Sequence, residues 1–261
     1  MPSPIIAFAV REESRPLQKL VTSRSDVRVV LTGIGHQNAA KSICKALTEE
    51  STNFVLTCGF AGGLNPELAT GTVVFSVDEN LTSPINPPPT PPPEGSQSSD
   101  APEPFPSWER SGVGSEAQKV ATQPELLVAA LLAAGARPAK FCCADRIAAT
   151  AAEKHGLWQS TGADAVEMES GVIRAICREH KILSATVRVI SDAANEDLPL
   201  DFNLLMGAEQ NLSYAKLALA LAGSPWKICA LLKLQKQTQA AAEKLAQVLV
   251  KIISNRTLAQ L

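Results

Sequence analysis

The chain has 261 residues, 45% of them hydrophobic, enough to bury one sizeable core in a single α/β domain spanning 1–261. A formal net charge of −2, with Lys and Arg spread along the sequence, argues against nucleic-acid binding, and the longest apolar run, LLVAALLAAGA, is too short for a membrane span of about 20 residues. Six cysteines without CxxC spacing read as small core residues and three histidines in polar or helical settings as surface residues; no disulfide framework or metal site is expected, and with no signal peptide legible in MPSPIIAFAVREES the expected location is cytoplasmic.

In chain order, the first β-branched run is IIAFAV, and the acid pair Glu12 and Glu13 follows it. VRVVLTG is the second run. It leads through Gly33, Ile34 and Gly35 into the helical stretch HQNAAKSICKALTEE, and such a turn at a helix start exposes N–H groups suited to an anion or polar ligand. Asn38 stands where the last glycine of a dinucleotide fingerprint belongs, so the turn reads as structural first. FVLTCG is the third run, with a second glycine turn (Gly59, Gly62, Gly63) after it, where a backbone could approach a ligand closely. TVVFSV is the fourth. Residues 83–107, SPINPPPTPPPEGSQSSDAPEPFPS, are too rich in proline for helix or ladder and read as an extended inserted loop.

ADAVEME reads as a strand that points Val166 and Met168 one way and Glu167 and Glu169 the other. Burying a carboxylate requires partners, so Glu169, at the passage into the helix SGVIRAICREH, is either a ligand-facing acid or a helix-start residue set against the dipole. Val172, Ile173, Ile176, Cys177 and His180 form that helix's apolar stripe. ATVRVIS is the last run, ending at Asp192, which reaches the same sheet edge or serves an Asx turn. Continuous apolar strands predict a mostly parallel sheet with helices on both faces. The segment 203–261 reads as helical, with Pro225 in a first turn and Leu231, Leu232, Leu234, Leu245, Val248 and Leu249 as a sticky face.

The stretches AVREES, TGIGHQNAA, GFAGGLNPELATGTVV, AVEMESGVI and VRVISDAA, in that order, resemble the purine nucleoside phosphorylase and 5′-methylthioadenosine/S-adenosylhomocysteine nucleosidase superfamily. AATAAEKHGLWQSTGADAVEMES, ISDAANEDLP and the tail from Pro225 are further similar to its hopanoid-associated nucleosidases. The resemblance implies a three-layer α/β/α sandwich around a mixed, partly barrel-like sheet. It implies that Asp192 protonates or hydrogen-bonds N7 of a purine leaving group and that Glu13 orients the attacking water. Glu169 would hold the ribose 2′- and 3′-hydroxyls, with Met168 packed under the sugar.

Gly33, Ile34 and Gly35 would shape the nucleophile pocket; Glu167, Gly59, Phe60, Ala61, Ile147 and Ser191 complete the expected substrate-binding set. Where the family usually carries a base-stacking aromatic upstream of EME, this chain has Arg146 and Ile147. Cleaving an N-glycosidic bond through an oxocarbenium-like sugar needs one acid for the departing base and one carboxylate for the nucleophile, a division this trio could supply. The expected activity is hydrolysis of a purine nucleoside or 5′-modified adenosine by a homodimer without metal or organic cofactor. Phosphorolysis and non-catalytic nucleoside binding remain open alternatives.

Overall fold

A computed structural model describes residues 3–22, 24–78, 122–205 and 227–255. Eight strands, β1 (Ile5–Phe8), β2 (Arg28–Leu31), β3 (Phe54–Gly63), β4 (Val73–Val77), β5 (Arg137–Pro138), β6 (Phe141–Cys143), β7 (Ala165–Glu167) and β8 (Leu183–Asp192), form one sheet. Among the described residues seven helices accompany it: α1 (Arg11–Leu20), α2 (His36–Glu49), α3 (Gln123–Ala134), α4 (Ala151–Thr161), α5 (Ser170–Glu179), α6 (Phe202–Leu205) and α7 (Lys227–Ile253). The proline-rich stretch 83–107 and Pro225 lie outside the described residues, as do parts of the segment 203–261.

The sheet runs β2-β1-β3-β8-β4-β5, with β7 pairing to β3 and β6 to β7 off that path, and it does not close into a barrel. β1, β2, β3 and β8 are parallel, as continuous apolar runs predict. The sheet is mixed because β4 runs antiparallel to β8 and β7 antiparallel to the end of β3. Side-chain alternation divides the core into two layers. Ile6, Phe8, Phe54, Leu56, Val187 and Val189 face α1, α3 and α7, while Ile5, Ala7 and Val55 face α2 and α5 through Ile43, Ile173 and Cys177. A central sheet between two helix layers is the expected three-layer sandwich.

Local chemistry sets the helix ends. Thr122 with Glu125 and Thr150 with Glu153 form capping boxes at the starts of α3 and α4, and Gly135 and Gly162 stop those helices in the left-handed region. α7 packs through Ala241, Ala242, Leu245, Val248, Leu249 and Ile252, so only the second half of the predicted sticky face is core; Leu231 and Leu234 are half-buried and Leu232 is exposed. On α5 the stripe narrows to Ile173, Ile176 and Cys177, with His180 exposed at the C-cap. No helix among the described residues is long and apolar enough to cross a membrane. Cys58 and Cys177 are buried as expected of core thiols, whereas Cys44 and Cys229 are exposed, each on the solvent side of an amphipathic helix.

Candidate active site

The site grows around Arg188, in the middle of β8. Its neighbours Val187 and Val189 point into the α7 layer, so alternation sends the guanidinium to the opposite side, where it is 1% exposed. Nη2 donates to Glu167 Oε2 at 2.6 Å, to Glu169 Oε2 at 3.1 Å and to Thr57 Oγ1 at 3.4 Å, and Nη1 donates to the Cys58 carbonyl at 3.3 Å. A buried cation needs such compensation. Burial opposes its charge, but Glu167, Glu169 and Glu13 together push the guanidinium's pKa up.

The strand expected through Glu169 ends at Glu167, and Glu169 is the N-cap of α5. Glu167 explains the early stop. Its Oε2 accepts the backbone N–H groups of Glu169 and Ser170 at 3.1 and 2.8 Å, and Oε1 accepts the Ser170 hydroxyl at 2.6 Å. Burial works against its ionisation, yet Arg188 and the Ser170 donors hold its carboxyl below the usual range. Glu167 is therefore a fully committed partner of Arg188 and the α5 start. Glu169 keeps more freedom, with Oε1 accepting the Gly35 N–H at 3.0 Å. The anion for which the glycine turn before α2 is suited is thus a carboxylate of the same chain.

Glu13 sits in the first turn of α1, buried, with Oε2 accepting the N–H groups of Ala9 and Val10 at 3.1 and 3.2 Å and Oε1 that of Phe60 at 2.9 Å. Burial is the largest influence and Glu169 adds to it, so the carboxyl is raised to about 7 despite Arg188 and the amide donors. Asp192 ends β8. Its Oδ1 accepts the Ser191 hydroxyl at 2.6 Å, and its Oδ2 lies 2.5 Å from Nζ of the wholly buried Lys154 on α4.

The glycines between these groups are not a turn, as the sequence suggests, but the last residues of β3. The strand continues because β8 pairs along it and β7 folds back across its tip, Val166 opposite Gly62 and Ala165 opposite Gly63. Side chains would be crowded there. A Cβ at Gly62 would meet Val166 Cγ1 at 3.2 Å, and one at Gly63 the Asp192 carbonyl at 3.1 Å. Gly59, at φ 149°, has Arg188 Nη1 and Glu13 Oε1 each 2.6 Å from where its Cβ would stand.

One cavity of about 290 Å³ opens beside these residues. Glu13, Glu167, Glu169 and Asp192 line it together with Ile34, Phe60, Ala61, Ile147, Met168 and Ser191. Gly33, Gly35 and Gly59 are not among the lining residues; Gly33 packs against Asn38. Glu169 follows β7, which runs parallel to β6 but antiparallel to β3, so it does not leave the sheet with the C-terminal ends of β1, β3 and β8. Ala9, Val10, Leu198, Phe202, Leu234 and Thr238 make much of the remaining wall, a largely apolar chamber with acids at its floor. Among the described residues no group of three His, Cys, Asp or Glu side chains is arranged to hold a metal ion, and His36 lies beside exposed Asp145 at 3.2 Å.

A sequence profile described as the phosphorylase superfamily matches residues 9–254. The chain belongs to the phosphorylase superfamily. Among solved structures, this superfamily member is similar to the futalosine hydrolase of Helicobacter pylori, at 17% identity and TM-score 0.57 over 95% of this chain and 97% of that one. It is similar to the 5′-methylthioadenosine/S-adenosylhomocysteine nucleosidase of Campylobacter jejuni, at 17% identity and TM-score 0.58 over 97% and 98%. The corresponding nucleosidase of Colwellia psychrerythraea, solved in complex with adenine, gives 17% identity and TM-score 0.58 over 97% and 94%. These likenesses establish the superfamily fold.

Sequence reasoning does not single out three residues of this candidate site: Arg188, Lys154 and Phe202. Arg188 lies inside the apolar run ATVRVIS, and a charge in the middle of a buried strand is the signal that could have found it. Phe202, on the one-turn α6, brings an aromatic ring to the cavity in a chain that lacks one at Ile147. Asn203 holds the two segments together, accepting the Ile147 N–H and donating to the Ile147 carbonyl, both at 2.9 Å.

Proposed function

We propose that the chain is a nucleosidase that hydrolyses the N-glycosidic bond of a purine nucleoside or 5′-modified adenosine and releases the free base. The observation that carries this reading is the charge pattern of the chamber. Four carboxylates line it, while its two buried cations are committed, Arg188 to Glu167 and Glu169 and Lys154 to Asp192. Arg146, at the rim, is paired with Glu153 at 2.6 Å. Phosphate would meet this acidic lining with no uncommitted cation of the described lining to receive it, whereas a cationic sugar and a neutral water suit it.

In this reading Glu13, raised to about 7, takes a proton from water near neutral pH as the water oxygen attacks C1′. The C1′–N9 bond breaks, its electron pair passes into the purine, and N7 receives the proton of Asp192. Glu169 accepts the ribose hydroxyls with the lone pairs that Gly35 and Arg188 leave free, and Met168 lies against the sugar. Phe202 and Ile147 flank the base.

The superfamily match and the names of the similar structures support the reading. The test is incubation of the purified protein with adenosine, inosine, 5′-methylthioadenosine and adenosine bearing a bulky apolar 5′ group, with and without phosphate. Free base with the free ribose or 5′-modified ribose, independent of phosphate, is expected. Formation of the corresponding sugar 1-phosphate rejects hydrolysis, and no base from any nucleoside rejects the enzyme.

A further inference from the structure

We propose that Lys154 is a positioning residue for the leaving-group step: its ammonium holds the Asp192 carboxyl group and stabilises the negative charge left there when the proton passes to the departing base. This rests on the functional reading above.

Lys154 breaks three local rules at once. It is 0% exposed, although lysine is rarely buried. It lies in the first turn of α4, next to the positive end of the helix dipole, where a cation is disfavoured. And on a helix whose other ten residues are half-buried or exposed, it alone is fully buried. A chain that accepts these penalties at one position gains something elsewhere, and functional sites are where such exceptions concentrate.

The contacts say where. Nζ donates to the carbonyls of Ala193 and Glu196, both at 2.8 Å, and to Asp192 Oδ2 at 2.5 Å, so three acceptors match its three protons. Ser191 occupies the other carboxylate oxygen. The carboxyl plane is thereby fixed from both sides at the cavity wall. When the C1′–N9 bond breaks, the proton moves from Asp192 to N7 and a full negative charge remains on Asp192. That charge forms 2.5 Å from an ammonium in a site shielded from water, where its stabilisation is strong. Lys154 keeps all its protons throughout.

The experiment compares two substrates of the intact protein. A purine nucleoside needs its leaving group protonated; 4-nitrophenyl β-D-riboside, whose nitrophenolate leaves unaided, does not. For Lys154→Met we expect kcat on the nucleoside to fall about 100-fold with KM changed less than about threefold, and turnover of the nitrophenyl riboside to change less than about threefold. Equal losses on both substrates, or none on either, overturn the inference. Because the methionine variant leaves Asp192 buried without its partner, Asp192→Asn is compared with Asp192→Asn/Lys154→Met, which removes both the acid and the ammonium. Turnover of the nitrophenyl riboside, which needs no acid and which Asp192→Asn is expected to retain, is expected to be the same in the double variant. Additional loss there, or failure of the double variant to fold, assigns Lys154 to stapling the 193–197 loop and overturns the proposal. Wild-type protein that releases no base from any nucleoside but cleaves the nitrophenyl riboside brings down the purine reading, not the fold of the site.

Discussion

Glu13 has two duties, and they pull in opposite directions. Its carboxylate closes the first turn of α1 by accepting two N–H groups, while burial drives the group towards the neutral form. A carboxyl whose folded pKa is raised binds its proton more tightly in the native than in the unfolded state, so its contribution to stability declines as pH rises from the ordinary carboxylate range to about 7. For Glu13→Gln, urea melts between pH 5 and pH 8 are expected to show the variant gaining about 2–3 kcal/mol on the wild type across that interval. A difference independent of pH would remove the raised carboxyl. Turnover of the same variant is expected to drop by about two to four orders of magnitude. Asp192→Asn, which keeps shape but offers no acidic proton, is expected to lose turnover while equilibrium dialysis still detects nucleoside binding. Wild-type activity in that variant would exclude Asp192 from the chemistry.

At the scale of elements, the meeting of β3, β7 and β8 builds the site, and glycine permits it. Gly59→Ala would drive a methyl group against Arg188 and Glu13 at a φ that side chains avoid, and is expected to lower stability by about 1–3 kcal/mol and to abolish turnover, measured by thermal melting and base release. A variant with wild-type melting and activity would show that the crowding is not felt. This junction was only half legible in the sequence. Long strands announce themselves by continuous apolar runs, as ATVRVIS does for β8, and α2 and α5 by their spacing. The FAGG end of β3 reads as a turn because glycine usually breaks a ladder, and here three strands crowd instead. β5 and β6, of two and three residues, are too short to carry any period. Arg188 and Lys154 were hidden for a related reason: pattern reading takes an isolated cation as a surface residue, and only tertiary contacts show its carboxylate partners.

Across the whole molecule, α7 spans both functions of the fold. Its second half seats Leu245 and Leu249 in the core, while Leu234 and Thr238 from its first half reach the cavity wall. The homodimer implied by the family resemblance is checked by light scattering on the eluted protein: about twice the chain mass of 27.6 kDa is expected, and a single chain's mass rejects it. The three amides that converge on Glu13 join residues from remote parts of the chain, Ala9 and Val10 from the first strand's exit and Phe60 from β3. Each proton points at an oxygen whose charge changes near neutrality, so their nitrogen-15 chemical shifts act as built-in reporters. A titration followed by nuclear magnetic resonance should move all three signals together with one midpoint close to 7. The same signals would register the arrival of any compound that neutralises the carboxylate, giving a label-free readout for ligand discovery.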